Sequence, residues 1–189
     1  MAEQVKVLVI CGSLRKGSYN AALTRALPAM APPEMTLITA PPYTTFPFYN
    51  ADVQDASGFP AQVIEFAEAI RTADGVLFVT PEYNWSIPGV LKNAIDWVSR
   101  MKDQPFKDKP VAIQSASQGP LGGARMQYHL RMALTFSDAL LFGRPEVFVG
   151  NAAGKFDKDT LELKDQPTKD IIKQQLAAYA KFIVRMKAH

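Results

Sequence analysis

Cysteine and histidine are scarce in this chain of 189 residues, and their scarcity limits the chemistry it can hold. A single cysteine, Cys11, cannot form an internal disulfide, which is typical of proteins kept in a reducing compartment. The two histidines, His129 and His189, add too few ligands to that cysteine for a convincing metal centre. A recognisable local signature of Ser-His-Asp catalysis is also missing. We therefore predict no metal site.

Long apolar runs and blocks of positive charge are missing as well. No run approaches the ~20 apolar residues of a membrane span, and the opening MAEQVKVLVI lacks the basic flank and cleavage site of a signal peptide. Lysine and arginine are spread along the chain and the net charge is only +3, so nothing favours nucleic acid as a partner. We expect a cytoplasmic protein without a membrane span.

What the chain does have is a regular alternation of short β-rich segments and longer amphipathic ones. Strands are predicted at residues 5–10, 35–40, 75–80, 110–115 and 146–150. Helices are predicted from 18 or 19 to about 30, about 60–74, 86 or 87 to about 101, 123 to about 136, and about 167–187. This alternation is typical of the α/β class, and it predicts a flavodoxin-like, three-layer, doubly wound parallel sheet of five strands in the order 2-1-3-4-5. We expect a single domain over residues 1–189.

Such a fold binds ligands at the carboxyl ends of its strands, so the loops after strands one, three and four carry the site. Loop one, GSLRKGSYN at residues 12–20, has Ser18 where a nucleoside triphosphate loop needs lysine. It suits one phosphate instead, bound by backbone N–H groups at a helix start and by the side chains of Ser13, Arg15, Ser18 and Asn20. The alternative is an ordinary turn in which Ser18 is the helix N-cap.

Loop two, TPEYNWSIPG at residues 80–89, combines two aromatic residues with two prolines. Aromatic rings beside a crevice favour a flat ligand, and prolines stiffen the backbone donors and acceptors around it. The alternative is a helix entry capped by Ser86, with Tyr83 and Trp85 as packing residues. For Trp85 alone, packing or a subunit contact is the favoured interpretation, because large aromatic side chains dominate cores and interfaces.

Loop three, SASQGPLGGARMQYHLR at residues 115–131, is rich in glycine and in short polar side chains. Glycine lets a backbone approach a ligand closely, and three occur here: Gly119, Gly122 and Gly123. Ser115, Ser117 and Gln118 offer side-chain hydrogen bonds. Arg125 would lie in a first helical turn, where the helix dipole disfavours a cation. We expect it to pair with an anion at the site or with an acid across a subunit boundary; otherwise it is a solvated surface residue.

One phosphate, one planar group and a rim of amide donors together describe flavin mononucleotide (FMN). At these loops the sequence also resembles the NADPH-dependent FMN reductase family, and within it the bacterial chromate reductase and soluble quinone reductase branch. Four stretches carry the resemblance: GSLRKGSYN, TPEYNWSIPGVLKNAIDWVSR, FPFYNADVQ and QGPLGGARMQYHLR. It covers nearly the whole chain, and the part after Gly150 is the least diagnostic.

The resemblance implies FMN as the cofactor and NADPH or NADH as the co-substrate. The expected cofactor-binding residues are Ser13, Arg15, Ser18, Tyr19, Asn20, Pro81, Glu82, Tyr83, Asn84, Ser115, Ser117 and Gly119. It also implies a homodimer or homotetramer, with Arg125, Tyr128 and Glu146 in an inter-subunit polar cluster. Trp85 departs from the pattern, in which tyrosine is usual, and cannot make a phenol hydrogen bond there.

The expected activity is a two-electron reduction of quinones, with chromate or other small oxidants as further acceptors. We expect a ping-pong cycle in which NADPH or NADH passes a hydride to N5 of FMN, so no catalytic side chain is predicted. Two roles are open for Arg100. It could attract the nicotinamide phosphate or chromate; we favour the alternative, in which it is a cation at a helix C-terminus paired with Asp96. Cys11 is interpreted as a buried small hydrophobic residue. Two alternatives stay open: a flavodoxin-type electron carrier, although such carriers are generally acidic, and a nucleotide-binding regulatory module.

Overall fold

A twisted parallel sheet forms the centre of the molecule. The computed structural model describes residues 3–188, so His189 lies outside the described residues. Its strands are β1 Val5–Cys11, β2 Met35–Thr39, β3 Gly75–Val79, β4 Pro110–Ala116, β5 Leu140–Leu141 and β6 Val147–Val149. They follow the order β2-β1-β3-β4-β5. β5 pairs with the first residues of β4, and β6 pairs with the last residues of the same strand. The predicted fold class and strand order are confirmed.

Helices cover both faces of the sheet. They are α1 Tyr19–Ala26, α2 Ala51–Ser57, α3 Ala61–Thr72, α4 Gly89–Val98, α5 Ala124–Thr135 and α6 Gln166–Lys187. Successive strand residues point to opposite faces, so Val7 and Val9 of β1 pack with α1 and α6, while Leu8 and Ile10 pack with α3, α4 and α5. This double coverage explains why β1 and β3 are nearly continuous apolar runs. Within residues 3–188, none of the helices is both long and apolar enough to cross a bilayer.

Several predicted boundaries differ from the structure. The predicted fifth strand, residues 146–150, corresponds to β6, and the two-residue strand β5 was not predicted. Between the two strands lies Pro145, which has no N–H to donate to a ladder. Pro28 ends α1 early, and residues Leu27–Ala29 continue as a 3-10 turn. The α4 helix begins only at Gly89, after Pro88. The connection between β2 and α3, for which no element was predicted, contains α2, whose N-cap Asn50 accepts a hydrogen bond from the Asp52 N–H.

Candidate functional site

The three loops identified from sequence meet at the carboxyl edge of the sheet, where they enclose a cavity of about 290 Å³. Most of the expected residues line it: Ser13, Arg15, Ser18, Tyr19, Asn20, Pro81, Glu82, Tyr83 and Ser117. Ala116 and Gln118 complete the lining. Larger surface cavities occur elsewhere, including one of about 700 Å³ beside Pro145, but that cavity is not at the strand ends. The site therefore follows the topology of the sheet rather than cavity size.

Loop one has hydrogen-bond donors without a protein acceptor beside this cavity. Within the described residues, the backbone N–H groups of residues 13–17 have no hydrogen-bond acceptor, and Arg15 is exposed without an ion pair. Ser18 is the N-cap of α1, since its Oγ accepts from the N–H groups of Asn20 at 3.1 Å and Ala21 at 3.3 Å. A hydroxyl has two acceptor positions and one donor hydrogen, so the Ser18 O–H is still free to donate. Capping and anion binding are therefore compatible at Ser18.

The donor set at loop one fits a phosphate monoester. Open N–H groups at a helix N-terminus, a hydroxyl and an unpaired guanidinium are the groups that bind phosphate in proteins. The loop also lies tightly against loop two: a Cβ at Gly12 would come within 1.9 Å of Thr80 Oγ1. Glycine at position 12 is thus required by the close approach of two loops.

Loop two folds into a tight turn before α4. Tyr83 and Ser86 exchange two backbone hydrogen bonds of 3.0 Å, and the two residues between them have positive φ, 49° at Asn84 and 64° at Trp85. This is a two-residue turn with both central residues left-handed; asparagine tolerates that conformation but tryptophan rarely adopts it. The turn leaves Asn84 outside the cavity lining. Ser86 does not cap α4, and its Oγ lies 3.2 Å from His129 Nδ1.

Glu82 and Arg125 tie loop two to α5. Glu82 Oε2 accepts a hydrogen bond of 3.0 Å from the Met126 N–H, which lies in the first turn of the helix. Its Oε1 is 3.8 Å from the Arg125 guanidinium, which in turn lies 4.2 Å from the centre of the exposed Trp85 ring. The expected anionic partner of Arg125 is thus found in the same subunit. Trp85 stacks on this arginine instead of packing in the core.

Loop three is shaped by side chains that lie behind it. Ser115 is fully buried and does not line the cavity; its Oγ donates to the Gly122 carbonyl and accepts from Gln127 Nε2 at 2.7 Å. Gly119 also lies outside the lining, and its N–H donates to Ser117 Oγ at 3.1 Å. Both are expected cofactor-binding residues; in the structure they lie outside the cavity lining, and these hydrogen bonds hold the loop. Gln127 was missed by sequence reasoning, although a glutamine among the apolar positions of α5 could have signalled it.

Tyr43, from the connection after β2, supports the end of β1. Its hydroxyl donates to the Cys11 carbonyl at 2.6 Å. Burial, and then the nearby Cys11 thiol, raise the pKa of the Tyr43 phenol, so it stays a neutral donor. Cys11 itself is half-buried at the strand end, less enclosed than expected. Nothing in the spacing of the sequence indicated this contact between residues 32 positions apart.

Arg100 does not pair with Asp96 as expected, and Glu146 has an ionic contact within its own subunit. Asp96 pairs with Lys92 at 2.6 Å, and Arg100 lies over the Tyr49 ring at 5.4 Å. Arg100 follows the C-terminal end of α4, a helix of ten residues or about 15 Å. It does not line the cavity. Glu146 lies 3.8 Å from Arg131 of its own subunit.

Comparisons with known proteins identify the family and its cofactors. The family described as NADPH-dependent FMN reductase matches residues 5–154. The chain is similar to a quinone reductase of Escherichia coli (51% identity, 99% of this chain and all of the relative) and to an NAD(P)H-dependent FMN reductase of Pseudomonas aeruginosa (47%, the same coverage). Among solved structures it is similar to FerB, a flavoenzyme NAD(P)H:(acceptor) oxidoreductase from Paracoccus denitrificans, with TM-score 0.85 and 31% identity over 96% of this chain and 98% of that one. The expected FMN and NAD(P)H are thereby confirmed.

Proposed function

Because the chain belongs to the NADPH-dependent FMN reductase family and is an NAD(P)H-dependent flavin oxidoreductase, we propose that it reduces quinones by two electrons. The observation that carries the proposal is the cavity at the carboxyl edge, where open donors of loop one stand beside the walls of loops two and three. The quinone reductase name of the Escherichia coli relative supports this class of acceptor.

The chain's own residues bind and orient the cofactor in this proposal. Ser13, Arg15 and Ser18 would bind the phosphate, and Tyr19 would lie beside it. The ring would lie between Pro81, Glu82 and Tyr83 on one side and Ala116, Ser117 and Gln118 on the other. Bound FMN supplies the redox chemistry, since it accepts two electrons from NAD(P)H and passes them to an acceptor. Backbone N–H groups of loops two and three that face the ring would favour its reduced, anionic form.

A ping-pong order is part of the proposal. Tyr83 of loop two and Gln118 of loop three both line the cavity and are both exposed. NAD(P)H and the acceptor would reach the ring between these two loops, one after the other. Chromate and other small oxidants belong to the proposal as further acceptors, because they are smaller than a quinone. A cytoplasmic location follows from the use of NAD(P)H.

The purified protein tests this function directly. We expect a yellow protein whose visible flavin absorption bleaches when NADPH or NADH is added without oxygen and returns when a quinone follows. Initial rates at several quinone concentrations should give parallel double-reciprocal lines, and chromate should then be tried as the acceptor. Flavin that binds but is not reduced by either nucleotide would favour an electron carrier. A colourless protein that takes up no flavin would contradict the proposal.

We also propose that the single FMN-binding domain, residues 1–189, assembles as a homodimer or homotetramer. Large apolar side chains on successive turns of α5 are exposed: Tyr128 by 52%, Met132 by 72% and Phe136 by 75%. Monomers rarely leave such a stripe in water. Arg125, Tyr128 and Glu146 remain the candidate polar contacts around it. Sedimentation of the wild type and of Met132→Lys tests the assembly, and we expect the variant to shift to a smaller species.

A further inference from the structure

We propose that Asn20 is a positioning residue for the wall of the flavin ring, and that it does not bind the phosphate. The inference rests on the proposed function, because it assigns a role within the same cofactor site. Asn20 lies in the loop that carries the phosphate-binding groups, yet its side-chain amide is directed to another element. Two hydrogen bonds join it to a single residue of loop three.

Those hydrogen bonds fix the amide completely. Asn20 Oδ1 accepts from the Ala116 N–H and Nδ2 donates to the Ala116 carbonyl, both at 2.9 Å. Asn20 is only 3% exposed, and its own backbone N–H is used by Ser18 Oγ. A buried amide held at both ends cannot turn toward a ligand without leaving a buried donor and acceptor unpaired, which is costly.

The reason for this contact lies in the sheet. Thr80 donates the last backbone hydrogen bond from the β3 side, to the Gln114 carbonyl, and the chain then turns away at Pro81. Ala116, two residues further along β4, faces the same side and finds no strand there. The Asn20 amide takes the place of the missing strand, offering one donor and one acceptor as a peptide group would.

The contact between Asn20 and Ala116 affects the part of the cavity proposed to hold the flavin ring. Ala116 begins the segment of loop three that lines the cavity, together with Ser117 and Gln118. Asn20 therefore links the phosphate loop to a wall of the ring site. Loss of its amide should loosen this wall and leave the phosphate contacts of Ser13 and Arg15 in place. Binding of the ring should weaken whether or not the ligand carries a phosphate.

The test compares FMN with riboflavin, which has the same ring but no phosphate. Apoprotein would be titrated with each flavin, and binding followed by quenching of flavin fluorescence. For Asn20→Ala we expect both dissociation constants to rise by the same factor, on the order of tenfold. Arg15→Ala is the matched control, for which only the FMN constant should rise. Flavin binding by the wild type tests the proposed function separately from the factors by which the variants raise the two dissociation constants.

A rise for FMN alone in Asn20→Ala would overturn the inference, as would no change for either flavin. Should Asn20→Ala fold poorly, Asn20→Ser with bound FMN allows a second measurement. We then expect the visible spectrum of the ring to shift while the phosphorus resonance of the phosphate stays in place. A shifted phosphorus resonance with an unchanged ring spectrum would contradict the inference.

Discussion

The two edges of the central sheet differ in how their polar groups are paired. At the amino edge they are paired within the protein: the Tyr179 hydroxyl lies 2.9 Å from the Val76 carbonyl and 2.8 Å from that of Pro110, and Lys109 donates to the carbonyl groups of Arg71 and Ala73. At the carboxyl edge, the N–H groups of residues 13–17 have no acceptor among the described residues. The polar groups named at the amino edge serve stability, whereas at the carboxyl edge loop one leaves donors open for a ligand beside groups such as Ser115 and Tyr43 that are paired within the protein.

This difference has an energetic consequence. Hydrogen bonds within the protein stabilise the amino edge whether or not a cofactor is present, whereas the donors of loop one gain their partners only from a ligand. Ligand binding stabilises the folded state by mass action. Substitutions at the carboxyl edge should therefore act on flavin affinity, and substitutions at the amino edge on the free energy of unfolding.

The largest effect is expected for Arg15→Ala combined with Ser18→Gly. It removes the guanidinium and a hydroxyl, and glycine is still a tolerated N-cap, so α1 should lose only a few tenths of a kcal/mol. We expect the dissociation constant of FMN, measured by fluorescence titration, to rise on the order of 100-fold, because bonds to a charged group are the strong ones. Lys16→Ala, a charge removed from the same loop outside the cavity lining, is the control. Unchanged FMN retention would place the phosphate elsewhere.

Gly12→Ala should lower both the flavin affinity and the free energy of unfolding. The new Cβ would lie 1.9 Å from Thr80 Oγ1 and 3.1 Å from Thr80 Cα, so loops one and two must separate. Overpacking of this kind costs about 1–3 kcal/mol, and the cavity would widen with it. Gly17→Ala, whose Cβ meets nothing within 4 Å, is the matched control. Urea unfolding and FMN titration measure the two effects, and equal behaviour of the two variants would contradict the steric argument.

Tyr179→Phe should lower the free energy of unfolding without changing the flavin affinity. Burial raises the pKa of this phenol well above its usual value, so the hydroxyl stays protonated and its single hydrogen is shared between the two strand carbonyls. Removing it leaves them without that partner and should cost about 1–3 kcal/mol of unfolding free energy, measured in urea. FMN affinity should stay at the wild-type value. A lower affinity would mean that the two edges are coupled.

The smallest effect is expected for Asp74→Asn, and it depends on pH. Burial would raise the Asp74 pKa, but the Lys6 N–H at 2.7 Å and the Lys187 ammonium at 3.0 Å outweigh it, so the pKa is lowered in the folded protein. A depressed carboxyl pKa stabilises the fold above the unfolded-state pKa of about 3.9, and this contribution is lost as pH falls through the folded value. Because Asp74 is partly exposed, we expect a loss under about 1 kcal/mol at pH 7.

The Asp74→Asn difference from the wild type should narrow toward pH 3. Thermal unfolding of both proteins across this range checks it. A difference that stayed constant from pH 7 to pH 3 would show that the carboxylate charge does not contribute.

The sequence alone was enough to predict the architecture and the position of the site. Continuous apolar runs such as that of β3 mark strands buried on both faces, and their alternation with amphipathic segments leads to the order β2-β1-β3-β4-β5. Once that order is predicted, the loops that must meet at the carboxyl edge are known. The cavity lining follows from this for Ser13, Arg15, Pro81 and Tyr83.

The tertiary structure alone decided what each polar side chain in those loops contacts. Ser115 lies within β4 and is buried behind the loop, whereas Ser117 lies just beyond the end of β4 and lines the cavity. Strand alternation therefore does not determine the direction of the second serine, which depends on how the loop folds after the strand. Asn20 bonds to a residue 96 positions away, and Glu82 to one 44 positions away. Local propensity and periodicity act over a few residues and so determine elements and their order. Hydrogen bonds between distant loops depend on where the packed sheet brings those loops together, and they determine which of the candidate groups remain free for a ligand.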